Sequence, residues 1–255
     1  MSAAVPAAPT GYTQLSLAGA TVVARTDAVD GITAAFATAR TLHCWAATTP
    51  GARPFSGRAT AWAAALPGSA TTVVVRHARH GGLLARATGD LFRWPSRAPW
   101  ELDASRRLLA GGVPTPTVVA YALYPAGLGF CRADVATGLL PDGADFPAFW
   151  GSADSTARRD AIAAVGTLLR RLSALGAHHE DLNIKNLHLA RTSGGLVAYA
   201  LDVDRVVFGH AVDAARARNL ARLTRSLEKW RVQQGLEVDE STRAAIAQAA
   251  MEPQP

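Results

Sequence analysis

The sequence, 255 residues long, is poor in cysteine and nearly without lysine. Cys44 and Cys131 are its two cysteines, and neither belongs to a C-x-x-C or a Cys/His pattern, which argues against a disulfide framework and against a structural zinc site. Both are expected to be buried small hydrophobes in a reducing compartment. Lys185 and Lys229 are the only lysines, so 24 of the 26 cationic residues are arginine. Long apolar runs are also missing: the best stretch, Ala161 to Ala177, is broken by Arg170 and Arg171 and falls short of the roughly 18 apolar residues that cross a bilayer. An integral membrane protein is therefore not expected. The N-terminus has no basic residue before its apolar stretch, which Pro6 and Pro9 interrupt, so no secretory signal is expected and the mature chain should start near residue 1. Aromatic residues make up 7% and do not interleave with basic ones, so nucleic acid is not an expected partner.

What is present fits one large domain or two modest lobes around a substantial core, with 49% hydrophobic and 18% charged residues. The net charge of +6 favours an anionic partner without naming it. Residues 1–17, rich in Ala and Pro, are expected to form a loose lead-in. From Thr21 to Arg79 the pattern is short and β-like, with strands expected at Thr21–Ala24, Thr41–Trp45, Thr60–Ala65 and Thr71–His77, the last two joined through Pro67-Gly68 as a hairpin. A helix is expected over 99–110, ending at Gly111-Gly112. Strands follow at Val118–Tyr124 and Gly129–Thr137, and the turn Leu140-Pro141-Asp142-Gly143 sets a lobe boundary, giving a first lobe over 18–140 and a second over 141–255.

In the second lobe Ile162, Val165, Leu168, Leu169, Leu172 and Leu175 recur at helical spacing up to Gly176. Leu187–Ala190 and Leu196–Leu201 flank Thr192-Ser193-Gly194-Gly195, a second hairpin. A last helix, Val212 to Gln234, carries Leu220, Leu223, Leu227 and Trp230 on a core-packing side. Arg216, Arg218, Arg222, Arg225 and Arg231 leave its other surfaces basic, which keeps peripheral contact with an anionic membrane surface open.

Between the core helix and this hairpin lies His178-His179-Glu180-Asp181-Leu182-Asn183-Ile184-Lys185-Asn186, and Asp202 follows the second strand in Leu201-Asp202-Val203-Asp204-Arg205. Two acidic groups and an amide beside one hairpin are what phosphoryl transfer needs: a carboxylate on the attacking hydroxyl and oxygen ligands that hold Mg²⁺ against phosphates. Asp181 to Asn186 has the D-x-x-x-x-N spacing of a kinase catalytic loop. Upstream, Arg76 in Val73-Val74-Val75-Arg76 stands where the kinase pattern has a strand-borne Lys. Its planar guanidinium can neutralise phosphate and bind it in bidentate fashion. Glu101 is the candidate ion-pair partner and Asp103 its rival. Gly57, in Phe55-Ser56-Gly57-Arg58, is the candidate loop glycine over the nucleotide phosphates. None of the histidines has metal-ligand spacing; His178 reads as a loop or core histidine, and His80, His188 and His210 as chemically idle.

Taken together, these motifs resemble the lipopolysaccharide-core kinase family, and within it the 3-deoxy-D-manno-octulosonic acid (Kdo) kinases. The resemblance runs over about 55–230. It rests on Gly57-Arg58 before Trp62, on Arg76-His77-Ala78-Arg79-His80-Gly81-Gly82-Leu83, and on Glu101 placed 11 residues before Gly112-Val113-Pro114-Thr115-Pro116. It also rests on Gly127-Leu128-Gly129-Phe130 with Arg132-Ala133-Asp134, and on His179 to Asn186 with Leu201 to Arg205. Against the family's R-H-Y-R-R-G-G, H-A-D-L-N and D-F-D-R, the departures are Ala78, His80, Glu180 and Val203.

The resemblance implies an α+β, protein-kinase-like two-lobed fold, with a small antiparallel β-rich N-lobe and a larger helical C-lobe. It implies an ATP-dependent kinase that phosphorylates a hydroxyl of Kdo in lipopolysaccharide inner-core biosynthesis, with ATP and Mg²⁺ as cofactors and an anionic Kdo-containing glycolipid as acceptor. The chain is then expected in the cytoplasm, peripheral on the cytoplasmic face of the inner membrane. On the same terms Asp181 orients or deprotonates the acceptor hydroxyl, Asn186 and Asp202 ligate Mg²⁺, Arg76 with Glu101 and Gly57 holds the nucleotide phosphates, and His179 braces the loop. The cationic segment from Arg76 to His80 suits an acidic glycolipid. Two other readings stay open: a kinase-fold phosphotransferase for a small soluble molecule such as an aminoglycoside or amino alcohol, and a pseudokinase acting as a binding module, motivated by Arg in place of Lys.

Overall fold

A computed structural model describes residues 5–55, 60–79 and 89–252 of the chain. The chain divides into two compact units, one made of Met1–Asp103 with Thr117–Leu139 and the other of Ala104–Pro116 with Leu140–Pro255. The segment 104–116, expected with the first lobe, thus groups with the second.

The first unit is built on an antiparallel sheet. Its strands are β1 (Tyr12–Leu17), β2 (Ala20–Arg25), β3 (Arg53–Phe55), β4 (Ala61–Ala65), β5 (Thr72–His77), β6 (Phe92–Arg93), β7 (Val118–Pro125) and β8 (Phe130–Gly138). Their order is β1-β2-β7-β8-β5-β4-β3, with β6 on β8. Because successive side chains point to opposite faces, the run Val119-Ala120-Tyr121-Ala122-Leu123 of β7 feeds two cores at once. Ala120 and Ala122, with Val22, Val73, Val75 and Ala136, pack with Ile32, Leu42 and Trp45 of helices α1 (Val29–Thr38) and α2 (Leu42–Thr48). Tyr121 and Leu123, with Val23 and Val135, pack with Ala98 and Leu102 at the start of α3 (Ala98–Ala110). Covering both faces removes the apolar–polar alternation that a half-exposed strand shows.

Three expectations for this unit are corrected. Residues 1–17 are not all a loose lead-in: Tyr12 to Leu17 pair over their full length with β2. The hairpin closes at Ala18 (φ 49°) and Gly19 (φ 80°), and alanine at a positive φ hides the turn from a sequence reading. Thr41–Trp45 is not a strand, because Thr41 caps α2 by accepting from the backbone N–H of Cys44 at 3.1 Å. The same turn leaves Cys44 exposed, whereas Cys131 is buried as expected.

The second unit holds the remainder of α3, β9 (Gly143–Asp145), α4 (Phe146–Ser152), α5 (Ser155–Ala174), β10 (His178–His179), β11 (Leu187–Thr192), β12 (Gly195–Ala200), β13 (Val206–Val207), α6 (Val212–Gln234) and α7 (Glu240–Ala249). Asp154 caps α5 through the N–H of Ala157 at 2.8 Å. Ala161, Val165, Leu168, Leu169 and Leu172 of α5 are buried with Leu223 and Leu227 of α6 and Ile246 of α7. Gly176 (φ 60°) turns the chain out of the helix where a Cβ would meet the carbonyl oxygen of His210 at 2.3 Å. The chain passes from there into β10, which pairs with β13, while β11 and β12 form a hairpin with β9 on its edge. Among the described residues no helix is long and apolar enough to cross a membrane.

Candidate active site

In the first unit, alternation along β5 turns Val73 and Val75 toward α1 and α2 and Arg76 toward α3. There the guanidinium of Arg76 pairs with Glu101, which is buried. Glu101 is the partner; Asp103, two positions on, faces solvent. Next along the strand, His77 sits between two carboxylates. Its Nδ1 is 2.6 Å from Asp134 Oδ1 and its Nε2 3.0 Å from Asp90 Oδ2. The hydrogen bond to Asp134 is the main influence raising the His77 pKa above its ordinary value, and it outweighs burial, which lowers it; Asp90 adds to the rise. Asp90 also accepts from Arg132 Nε at 2.9 Å. Asp134, fully buried on β8, accepts in addition from Tyr124 Oη at 2.8 Å and from the backbone N–H of His43 at 2.9 Å. One buried carboxylate thus ties β5, β7 and the start of α2 together. Gly57 and the segment from His80 to Leu83 lie outside the described residues.

In the second unit, the loop after β10 is held by its own backbone. Asn183 Oδ1 accepts from the N–H groups of Lys185 (3.0 Å) and Asn186 (3.2 Å), capping a short 3₁₀ turn. Asn186 Nδ2 donates to the carbonyl of Asp181 at 2.9 Å, which closes the loop on itself. The backbone N–H of Leu201 donates to the Asn186 carbonyl at 2.9 Å, and His179 Nε2 lies 2.9 Å from the Leu201 carbonyl. These two bonds bring the residue before Asp202 against both ends of the loop. His179 is fully buried; burial is the main cause that lowers its pKa, so the neutral ring donates from Nε2 to that carbonyl.

Buried Asn219 of α6 fixes the chain entering the loop, accepting from the N–H of His179 at 3.0 Å and donating to the carbonyl of Ala177 at 2.8 Å. Arg222, one helical turn further on, donates from Nη2 to Asp181 Oδ1 at 2.7 Å and from Nε to the Glu180 carbonyl at 3.2 Å. Among the described residues nothing donates to Asp181 Oδ2. Asp202 is exposed, with φ 52° and ψ 52°, a left-handed backbone that Asp and Asn tolerate better than most residues.

The structure therefore joins Asp181, Asn186, Asp202 and His179 in one cluster and Arg76 with Glu101 in another. A sequence reading does not find Asn219 or Asp90, names Arg222 only among the surface cations of the last helix, and quotes Asp134 only within Arg132-Ala133-Asp134, with no role for either. Their roles are not local, since each acts through the packing of a distant helix or strand. His178 lies on β10, and burial followed by the positive charge of Arg218 lowers its pKa.

The donor set fits a hard divalent cation. The bond from Asn186 Nδ2 leaves its Oδ1 as an acceptor, and among the described residues no group donates to the Asp202 carboxylate. One amide and one carboxylate oxygen suit Mg²⁺, which completes an octahedron with water and phosphate oxygens. Among the described residues no three or more His, Cys, Asp or Glu side chains gather as a metal cage.

The loop from Asp181 to Asn186 beside Asp202, in the second unit, is the kind of arrangement that a phosphotransferase uses. The model of the lipopolysaccharide kinase (Kdo/WaaP) family matches residues 43–247, and the chain belongs to that family. It is 31% identical over 160 residues to a 3-deoxy-D-manno-octulosonic acid kinase of Haemophilus influenzae, a match covering 61% of this chain and 65% of the relative. It is 32% identical over 186 residues to the enzyme of the same name from Xanthomonas campestris pv. campestris, covering 71% of each. The chain thus spans about two thirds of the length of the relatives it matches. Among solved structures it is similar to WaaP in complex with acyl carrier protein, with a TM-score of 0.55, 16% identity and 84% of each chain covered. That likeness is one of fold, and the fold is the α+β, protein-kinase-like one expected from the sequence.

Proposed function

We propose that the chain is an ATP-dependent kinase that phosphorylates a hydroxyl of a Kdo residue in the inner core of lipopolysaccharide. The observation that carries this reading is the state of Asp181. One carboxylate oxygen is held by Arg222 and the loop is closed by Asn186, while Oδ2 stays open to a hydroxyl. In this scheme the acceptor oxygen attacks the γ-phosphorus, the bond from that phosphorus to the β,γ-bridging oxygen breaks, and the hydroxyl proton passes to Asp181 Oδ2. Arg76, aimed by Glu101, offers its positive charge to the nucleotide phosphates. Mg²⁺, when bound, would neutralise charge on those phosphates, and Asn186 Oδ1 and the Asp202 carboxylate would hold it. His179 and Asn219 keep the loop rigid, so Asp181 need not be ordered at the moment of reaction.

Family membership and the names of the relatives support Kdo as the acceptor sugar. A lipid-linked acceptor would make the chain a peripheral protein on the cytoplasmic face of the inner membrane. The test is transfer of γ-phosphate from ATP to a Kdo-bearing lipid A precursor, run beside a panel of aminoglycosides and amino alcohols. Labelled Kdo product supports the reading. Efficient labelling of a soluble alcohol with none on Kdo overturns the acceptor, and failure to bind or turn over ATP overturns the kinase.

A further inference from the structure

The cations of α6 differ in what they meet. Arg216 pairs with Asp213 at 2.9 Å and Arg231 with Glu228 at 2.7 Å, each three residues away on the same helix. Arg218, Arg222, Arg225 and Lys229 follow one another at steps of four, three and four. That spacing lines them along one side of a helix over about 16 Å. Arg222 bonds to Asp181 and to the Glu180 carbonyl. Arg218, Arg225 and Lys229 are exposed, and among the described residues no carboxylate pairs with them.

We propose that this ridge receives the acceptor: Arg218, Arg225 and Lys229 bind the carboxylate and phosphate groups of an anionic sugar-lipid head group while its hydroxyl meets Asp181. The inference rests on the kinase reading above and names the surface that recognises its acceptor. A carboxylate acting as proton acceptor repels an anionic substrate, and cations that continue the row on both sides of Arg222, which contacts that carboxylate, offset the repulsion. A neutral alcohol has no use for such a row. The ridge is less suited to lying on a bilayer, because Leu220, Leu223, Leu227 and Trp230 of α6 are packed into the core and give the cations no apolar band of their own.

The test compares the wild-type chain with the triple variant Arg218→Glu/Arg225→Glu/Lys229→Glu. A control with the same charge change placed elsewhere is Arg40→Glu/Arg93→Glu/Arg159→Glu. Binding is measured by calorimetry in an Asp181→Asn background, to Kdo-bearing lipid A precursor in neutral detergent micelles and to phosphatidylglycerol vesicles. Phosphotransfer is measured with Asp181 intact. The ridge variant should weaken acceptor binding by about tenfold or more and raise the acceptor KM in step, while the control shifts both by less than about twofold. Equal acceptor binding in ridge variant and wild type overturns the proposal, also when the variant has lost only the vesicles, and so does a wild type that does not bind the acceptor. Ridge-dependent binding without phosphotransfer would leave the ridge standing and sink the kinase reading. Phosphotransfer equal in both proteins does the reverse.

Discussion

Arg76 and Glu101 form an ion pair of unequal partners: the Glu101 side chain is 6% exposed, while that of Arg76 keeps 33% of its surface in solvent. The guanidinium compensates the charge of the buried carboxylate and still reaches outward. Arg76→Ala should weaken ATP binding and, by removing the cation paired with buried Glu101, lower stability. Arg76→Lys should recover part of both, since charge returns without the planar fork. ATP titration and urea unfolding of the two variants decide the matter, and wild-type nucleotide affinity in both would make Arg76 only a strand residue.

Asp181→Asn should retain the fold and ATP affinity, because Arg222 can still donate to the amide oxygen, yet turnover should fall by a factor on the order of 10² or more. Steady-state phosphotransfer alongside ATP titration separates the two effects. Near-normal turnover would remove Asp181 from the chemistry.

The His77 network predicts a pH dependence. Its pKa lies above 6.5 in the folded chain, so the stabilisation is fully present below 6.5 and is lost as pH rises through the raised folded-state value. The groups facing the ring are Asp134, Asp90, Arg132 through Asp90, and the His43 ring at 5.9 Å. Urea midpoints measured from pH 6 upward should fall for wild type and stay flatter for His77→Gln. An identical decline in both would show that another group sets the slope.

Asn219→Ala should be costly for a residue outside the chemistry. It orphans the N–H of His179 and the carbonyl of Ala177, both held away from water, and a loss on the order of 3 kcal/mol is expected. Denaturant unfolding gives the number. Turnover measured well below the new midpoint should fall as well, because the loop entrance loses its anchor.

Much of this was open to a reading of the sequence where a local signal exists. The period of α5, the Gly-rich turn between β11 and β12 and the spacing of Asp181 and Asn186 are local patterns, and Asp202 follows directly on the short hairpin that comes after them. The helices α1 and α2 were hidden because their alanines and β-branched residues look as much like strand as helix, and Thr41 reads as a cap only once the following turn is known. Arg222 and Asn219 are ordinary polar residues on a helix until the register of α6 against the loop is known. Asp134 reads as a charge within a strand, yet it is fully buried and accepts hydrogen bonds from three residues, His43, His77 and Tyr124.

The left-handed backbone of Asp202 means that any replacement there alters two things at once. Alanine removes the carboxylate and also carries the roughly 1–2 kcal/mol conformational penalty of that region, whereas glycine removes the carboxylate and relaxes the chain. The difference in unfolding free energy between Asp202→Ala and Asp202→Gly therefore reads the backbone penalty net of the greater freedom of glycine in the unfolded chain, and the loss of phosphotransfer that the two share reads the carboxylate.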